Sequence, residues 1–407
     1  MLRMNTGLAV GLWAATAVAA FAVGRVTAPP EAVQAPEDLA AKVRAALGEG
    51  DTLDRLGRAA SLLQHLDSES LPEVREVYDQ MLPLLGQWEI RPFVAAWARF
   101  DPAGALEHTL AWPFRIKQEI GVEAAIEGWA LHDAPAARQA VERLSKDRSP
   151  LQEQLLIGLV TGWVHSGQDG LQSYIAELPP ASLDTATGIA VGALVRKSGA
   201  EGTLGWTDRI LRDEAYDEGL KRSVFRRATR SVAGFDPERA AAWALTHAEY
   251  ADDGPRIVAQ QWGSRDGKAA LEWVREHVSG MPREQAAREA FAQWLRSDPA
   301  GAKAWLASES LTEFHDPVLD VYARRLSIRA PEEAVGWCER ILDPERRRGC
   351  LKTAATQWYR RDPVAAEAWL QQSALDEEAR QAARTPPARR QRARGAPRPR
   401  AMESPRQ

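Results

Sequence analysis

Residues 294–305 read WLRSDPAGAKAW and residues 358–369 read WYRRDPVAAEAW; the pattern they share, WxxxDPxxAxxW, decides the fold. Placing its central Asp along the chain gives a column of nine positions: Asp101, Asp133, Gly167, Ser198, Asp236, Asp266, Asp298, Ala330 and Asp362. The successive spacings are 32, 34, 31, 38, 30, 32, 32 and 32 residues. Four residues before each stands an apolar side chain: Trp97, Trp129, Trp163, Leu194, Val232, Trp262, Trp294, Leu326 and Trp358. Seven residues after each come His108, Ala140, Tyr174, Gly205, Trp243, Trp273, Trp305, Trp337 and Trp369, so these two columns hold 11 of the 15 Trp. A fixed period of this length is the mark of a stacked supersecondary unit.

Each column has a physical reason. An Asp or Ser oxygen accepts the free N–H groups that begin a helix, and Pro, present after the column at 102, 237, 299, 331 and 363, fits the first helical position. The preceding helix must therefore end there. Asp316-Pro317 and Asp343-Pro344 are expected to open the first helix of the following unit in the same way. The position four after the column is small in eight of nine copies, which lets two helix backbones approach. The aromatic residue one turn further on is expected to fill the layer between units. The chain thus reads as all-α, an α-solenoid of about nine antiparallel helix pairs of about 32 residues each over residues 87–383. The copy from Leu194 to Trp206, with Gly199, Gly202 and Gly205, is the irregular one and a candidate bend.

Outward from the array, residues 39–86 show apolar side chains at helical spacing, as in Leu53, Leu56, Ala60 and Leu63, and are expected to form helices that cap its first end. At the other end, residues 376–384 echo residues 282–290 and read as the start of a tenth unit. The Trp and Asp of that unit would fall at Arg390 and Arg394, so either the array ends in a solvated arm or the reading frame shifts. Residues 384–407 carry eight Arg, five Pro and a single acid, Glu403, and read as a basic disordered tail.

This organisation resembles tetratricopeptide and HEAT-type helical-hairpin arrays over about 290 residues. It follows neither consensus: tetratricopeptide units are longer, and their Trp-Leu-Gly-Tyr pattern is absent. What the resemblance implies is a class of protein-binding scaffolds.

Residues 1–25 set the expected compartment. Arg3 precedes an uncharged run from Thr6 to Gly24 that closes at Arg25, just long enough for a helix to cross a hydrocarbon layer. It reads as an uncleaved anchor; alternatively it is a cleaved signal peptide, with small-residue sites at Ala17-Val18-Ala19 and Ala20-Phe21-Ala22, or a buried helix. The first two place the rest of the chain outside the cytoplasm, with the body in a bacterial periplasm. Residues 26–38, with Pro29-Pro30, read as a linker.

The net charge is −4; without the +7 tail the rest of the chain is −11, which disfavours nucleic acid as a partner of the body. No HExxH, calcium loop, GxSxG, P-loop or dinucleotide fingerprint occurs, so no metal, cofactor or catalytic residue is expected. The six Asp of the column are too equivalent to be catalytic and are read as caps. His132 and His165 sit just before unit turns and are read as polar turn residues. Trp88, Trp112 and Trp206, outside the columns, are candidates for exposed contacts, and Arg346-Arg347-Arg348 for a solvated helix face. Cys338 and Cys350 flank the Asp343-Pro344 turn at similar heights on two antiparallel helices, so they form either a disulfide or two independently buried thiols. The function expected is a non-enzymatic, membrane-anchored or secreted envelope scaffold that binds a protein or peptide. The alternatives are an accessory part of a peptidoglycan-acting enzyme system, or a cytoplasmic protein whose basic tail binds nucleic acid or acidic lipid.

Overall fold

A computed structural model describes residues 36–48, 50–145, 150–250 and 253–384. The apolar run of residues 6–24, most of the linker and residues 385–407 of the tail lie outside the described residues. Among the described residues there is no strand, and no helix is long and apolar enough to cross a membrane.

The column residue is a one-residue hinge. At Asp298 the backbone N–H donates back to the Trp294 carbonyl at 2.7 Å, closing one helix, while the Asp298 carbonyl accepts from Ala302 N at 3.1 Å, opening the next. Its carboxylate accepts a further bond from Gly301 N at 3.0 Å, capping the new helix. The backbone there is φ −140°, ψ 82°, outside the helical region, and this single break turns the chain. Asp101, Asp133, Asp236, Asp266 and Asp362 cap the same way, each accepting from the N–H three residues on. Ala330, with no side-chain oxygen, keeps the geometry at φ −140°, ψ 71°.

The chain forms two compact units, one ending at Tyr250 and the other beginning at Ala251. The first holds α1 (Pro36–Gly48), α2 (Thr52–Leu63), α3 (Leu71–Met81), α4 (Gln87–Ala98), α5 (Pro102–Leu110), α6 (Arg115–His132), α7 (Ala134–Ser145), α8 (Gln152–Ser166), α9 (Leu171–Ala176), α10 (Pro180–Arg212), α11 (Glu218–Ala233) and α12 (Pro237–Leu245). The second holds α13 (Gly254–Gly263), α14 (Gly267–His277), α15 (Gly280–Ser297), α16 (Pro299–Ser308), α17 (Asp316–Leu326), α18 (Pro331–Cys338), α19 (Pro344–Arg361), α20 (Pro363–Gln372) and α21 (Glu377–Arg384). The helix α1 begins at Pro36, so the last three residues of the expected linker are helical. The echo of a unit start at 376–384 is the helix α21, capped by Asp376 and packed on α19.

In the first unit the helices that precede the hinges pack on one another, α4 on α6, α6 on α8, and α8 on α10. In the second unit α13, α15, α17 and α19 do the same. The helices that follow the hinges lie against their own partner and the next first helix, as α5 does on α4 and α6. Close approach needs small residues: an added Cβ at Gly162 of α8 would run into the Glu127 carbonyl of α6 and stand 2.8 Å from the Ala130 Cβ.

Six of the column indoles pair within their own repeat, and others reach a neighbouring one, as Trp243 does in donating to Asp208 at 2.8 Å. Trp262 and Trp273, Trp294 and Trp305, and Trp358 and Trp369 face each other across their hinges with centroids 6.0, 5.6 and 6.0 Å apart. The physical reason is the hinge: the chain reverses there, so a ring one turn before it and a ring two turns after it meet on the inside of the corner. Of the 11 column Trp, seven are buried and the other four, Trp129, Trp243, Trp294 and Trp369, are half-buried.

The irregular copy is corrected by one residue. The break in α10 falls at Gly199, φ 63°, ψ −157°, and not at Ser198, whose hydroxyl donates to the Leu194 carbonyl at 2.9 Å. Counting from Gly199 restores a step of 32 from Gly167 and puts Trp206 seven residues after the hinge, in the Trp column. Trp206 is accordingly 4% exposed, and Trp112 is also buried; of the three candidates for exposed contacts only Trp88 is open, at 39%.

Candidate functional site

The faces of the first helices that carry charge repeat with the hinge. Ten residues before the hinge stand Arg91, Glu123, Arg226, Arg256, Arg288, Asp320 and Lys352 in seven copies and Ile157 and Ile189 in the other two, and six before stand Glu127, Arg230 and Arg324 in three of the nine. These positions lie one turn apart on one side of a helix. In the first unit the Arg91 guanidinium on α4 donates to Glu123 of α6 at 2.5 Å and also to Glu127. His165 of α8 reaches the other side of Glu127, Nδ1 to Oε1 at 3.7 Å. Burial pushes the Glu127 carboxyl up, but the His165 ring and the Arg91 and Arg196 charges outweigh it and hold the group below the ordinary carboxylate range. In the second unit Arg288 of α15 donates to Asp320 of α17 at 2.8 Å, and Arg324 donates to the same carboxylate at 2.7 Å. The exposed guanidiniums keep the gain from each pair modest, so their main effect is to fix the alignment of neighbouring helices.

Between α10 and α11 the balance changes. A depression of about 260 Å³ is lined by Arg222, Arg226, Arg227 and Arg230 of α11, together with Ser223 and the one carboxylate of Asp184 from α10. Arg227 donates to Asp184, and the Ser223 hydroxyl donates to it at 3.2 Å. The Arg227 hydrogen bond, opposed by some burial and helped by the remaining charge, holds the Asp184 carboxyl low. Arg222, Arg226 and Arg230 follow one another at helical spacing and are exposed.

The residues singled out from sequence fall as follows. Cys338 at the end of α18 and Cys350 in α19 meet across the turn, their Cα atoms 5.5 Å apart and their sulfurs in bonding contact, both fully buried. Of the two histidines, His165 turns to Glu127, and the His132 carbonyl accepts from Gln168 Nε2 at 3.0 Å. Arg346, Arg347 and Arg348 are not a merely solvated face: Arg346 donates to Glu284 of α15 at 2.5 Å, Arg347 to the Ile341 carbonyl at 2.8 Å, and Arg348 pairs with Asp376 at 2.7 Å. Asp316 does not cap its own helix as Asp343 does. It lies in the first turn of α17, 3% exposed, and accepts from Leu342 N at 2.8 Å and Asp343 N at 2.7 Å, pinning the link that leads into α19. Sequence reasoning missed that role, because an Asp-Pro pair looks the same whether its carboxylate turns inward or back on its own helix. Among the described residues no group of His, Cys, Asp or Glu is arranged to hold a metal ion.

No family model, curated protein or solved structure matches this chain.

Proposed function

We propose that the helix pairs of each unit form an α-solenoid and that the protein is a non-enzymatic scaffold binding a protein or peptide along its first helices. The observation that carries this is the recurrence of one hinge geometry, φ near −140° and ψ of 71–89° at Ala330, Asp298 and Asp362, which repeats the placement of each first helix. Side chains ten residues before the hinge then form a charged row along the second unit, Arg256, Arg288, Asp320 and Lys352, and a row in the first unit that Ile157 and Ile189 interrupt, the kind of extended surface on which repeat scaffolds seat their partners. In this proposal residues 6–24 anchor the protein in a bacterial inner membrane or direct its export, the body is periplasmic, and Cys338 and Cys350 are oxidised there.

A photoreactive amino acid placed in the row at Arg226 or Arg288 should give partner adducts from envelope membranes. The same residue on the second helices, at Lys268 or Glu142, should give none. Adducts from the second helices alone, or none anywhere, would overturn the proposal. Alkylating the denatured, unreduced protein from the same membranes checks the compartment: no mass shift is expected without reductant, and two added groups with it. Two groups added without reductant would remove the oxidising compartment.

A further inference from the structure

We infer that the two turns entering α4 and α6 make a second contact with the membrane: Leu84, Trp88, Phe114 and Ile116 dip into the headgroup layer of the bilayer that residues 6–24 enter. This rests on the anchored reading above and specifies which surface of the body lies on the lipid.

The two turns are neighbours at one height. Leu84 and Ile116 each stand 17 residues before a hinge, at Asp101 and Asp133. The Lys117 ammonium donates to the Leu85 carbonyl, which ties one turn to the other. Seven residues further along each helix, Arg91 and Glu123 pair across the same interface. All four apolar side chains are open to solvent, Leu84 at 83% and Ile116 at 70%, with Trp88 and Phe114 also exposed. Large apolar side chains left open side by side mark a contact surface.

The composition of the turns selects lipid. Residues 82–88 and 110–118 hold no acid and two cations, Arg115 and Lys117, on a chain with 56 acids. The acids that follow directly are occupied: Glu89 is buried and accepts from Gly86 N at 2.9 Å, and Glu119 accepts from Arg115 at 2.9 Å, a pair that leaves the guanidinium 76% exposed. Other turns that lead into first helices are acidic, with Asp213 and Glu214, Glu309 and Glu313, or Glu339 and Asp343. Indole and phenyl rings beside cations, free of carboxylates, suit the headgroup layer, where one edge of a ring is wet and the other apolar. The tether permits the contact. Residues 25–35, between the apolar run and α1, span at most about 40 Å at about 3.6 Å each. The 13 residues of α1 rise about 20 Å at 1.5 Å each, and Arg44 in its last turn donates to Gln80 at 2.8 Å, at the end of α3 from which the Leu84 turn follows. The tether therefore joins the body about one helix length from the exposed rings, well inside its own reach. Holding the turns that near the bilayer gives them a high effective concentration there, so shallow insertion of four side chains is enough.

The test uses the full-length protein reconstituted into vesicles of phosphatidylethanolamine and phosphatidylglycerol. Cys338 and Cys350 are bonded to each other, so a single added cysteine takes an environment-sensitive dye without reductant. Dyes at Leu84→Cys and at Ile116→Cys should emit to the blue of one at Leu131→Cys, an exposed position at the other end of α6, and should be quenched by doxyl-labelled lipid. Adding Trp88→Asp with Phe114→Asp should abolish both the shift and the quenching. Trp88 lies in the first turn of α4 and Phe114 directly precedes α6, places where an acid suits a helix start, so the thermal melt should not fall. The inference is overturned by dyes at 84 and 116 that stay in water, by equal quenching at 131, or by a shift that survives the double substitution. A blue shift without quenching by lipid overturns it too, because a second copy or another protein then covers the turns. Flotation separates the two readings: protein that floats with the vesicles while its dyes stay in water sinks this inference alone, and protein that does not float sinks the anchored reading with it.

Discussion

The Asp298 corner and the Gly199 corner turn the chain by opposite means. At Asp298 the backbone sits at φ −140°, ψ 82°, the carboxylate caps Gly301 N, and Trp294 meets Trp305 across the bend. At Gly199 the backbone sits at φ 63°, ψ −157°, a conformation L side chains rarely adopt, and nothing from the hinge residue itself can cap the next helix. The Thr203 hydroxyl donates to the Gly199 carbonyl at 2.7 Å, a bond back along the helix that offers no acceptor to the N–H groups at its start. Both corners nonetheless place a buried Trp seven residues on, Trp305 at 8% exposure and Trp206 at 4%. The repeat is therefore defined by a break in the helix at the right distance from a Trp; the residue that makes the break is replaceable.

Truncating the rings should have the largest effect and is the sharpest way to break the equivalence. Trp305→Ala and Trp206→Ala should each cost about 3–5 kcal/mol in urea unfolding, since each removes a large buried side chain. A Trp206→Ala variant with near wild-type stability would show that the Gly199 copy is not a true unit. Next comes the backbone itself. Gly199→Ala should cost about 1–2 kcal/mol, from the positive φ alone, because an added Cβ there meets nothing within 4 Å. A stabilising Gly199→Ala would mean that the break is at Ser198 after all. At the other corner, Asp298→Ala should cost about 1 kcal/mol and Asp298→Gly only a few tenths, as expected for a helix cap. Equal losses for both would assign the carboxylate a role beyond capping.

The smallest expected effect is a pH dependence confined to the Asp298 corner. His315 packs on Trp305 with centroids 5.7 Å apart and is 2% exposed. Burial holds its pKa below the ordinary 6.5, although Glu309 at 3.6 Å pulls it back up and Arg275 pushes it down. The unfolded chain therefore takes up this proton more readily than the folded one. The contribution to stability is whole above about pH 6.5 and is lost as the pH falls below it. The wild type should lose more unfolding free energy between about pH 7.5 and pH 5.5 than His315→Gln does; parallel losses would exclude His315 as the source.

Much of the fold is legible in the sequence. Trp spacing exposed the period, Asp-Pro exposed the hinges, and six of the Asp column cap as their chemistry requires. The register of the fourth copy was not legible, because Ser is ordinarily a better cap than Gly and both stand side by side at 198 and 199. The Trp112 environment was hidden for a related reason: a ring outside the period carries no signal of whether it turns inward. The candidate site was even less visible. Arg226 and Arg230 sit in the same columns as Arg91 and Glu127, and a column says which face a residue takes but not which charge faces it from the next helix.

That the chain is helical, where it turns and which rings lie at the turns follow from local sequence, since caps, proline and periodic apolar residues act over a few neighbouring positions. Helix packing settled the rest: three corners close on a pair of indoles, Asp316 reaches across to the start of α19, and four arginines line a depression beside one aspartate. Those outcomes depend on contacts between residues 11 to about 46 positions apart, whose partners are chosen by how whole helices pack and not by any local preference.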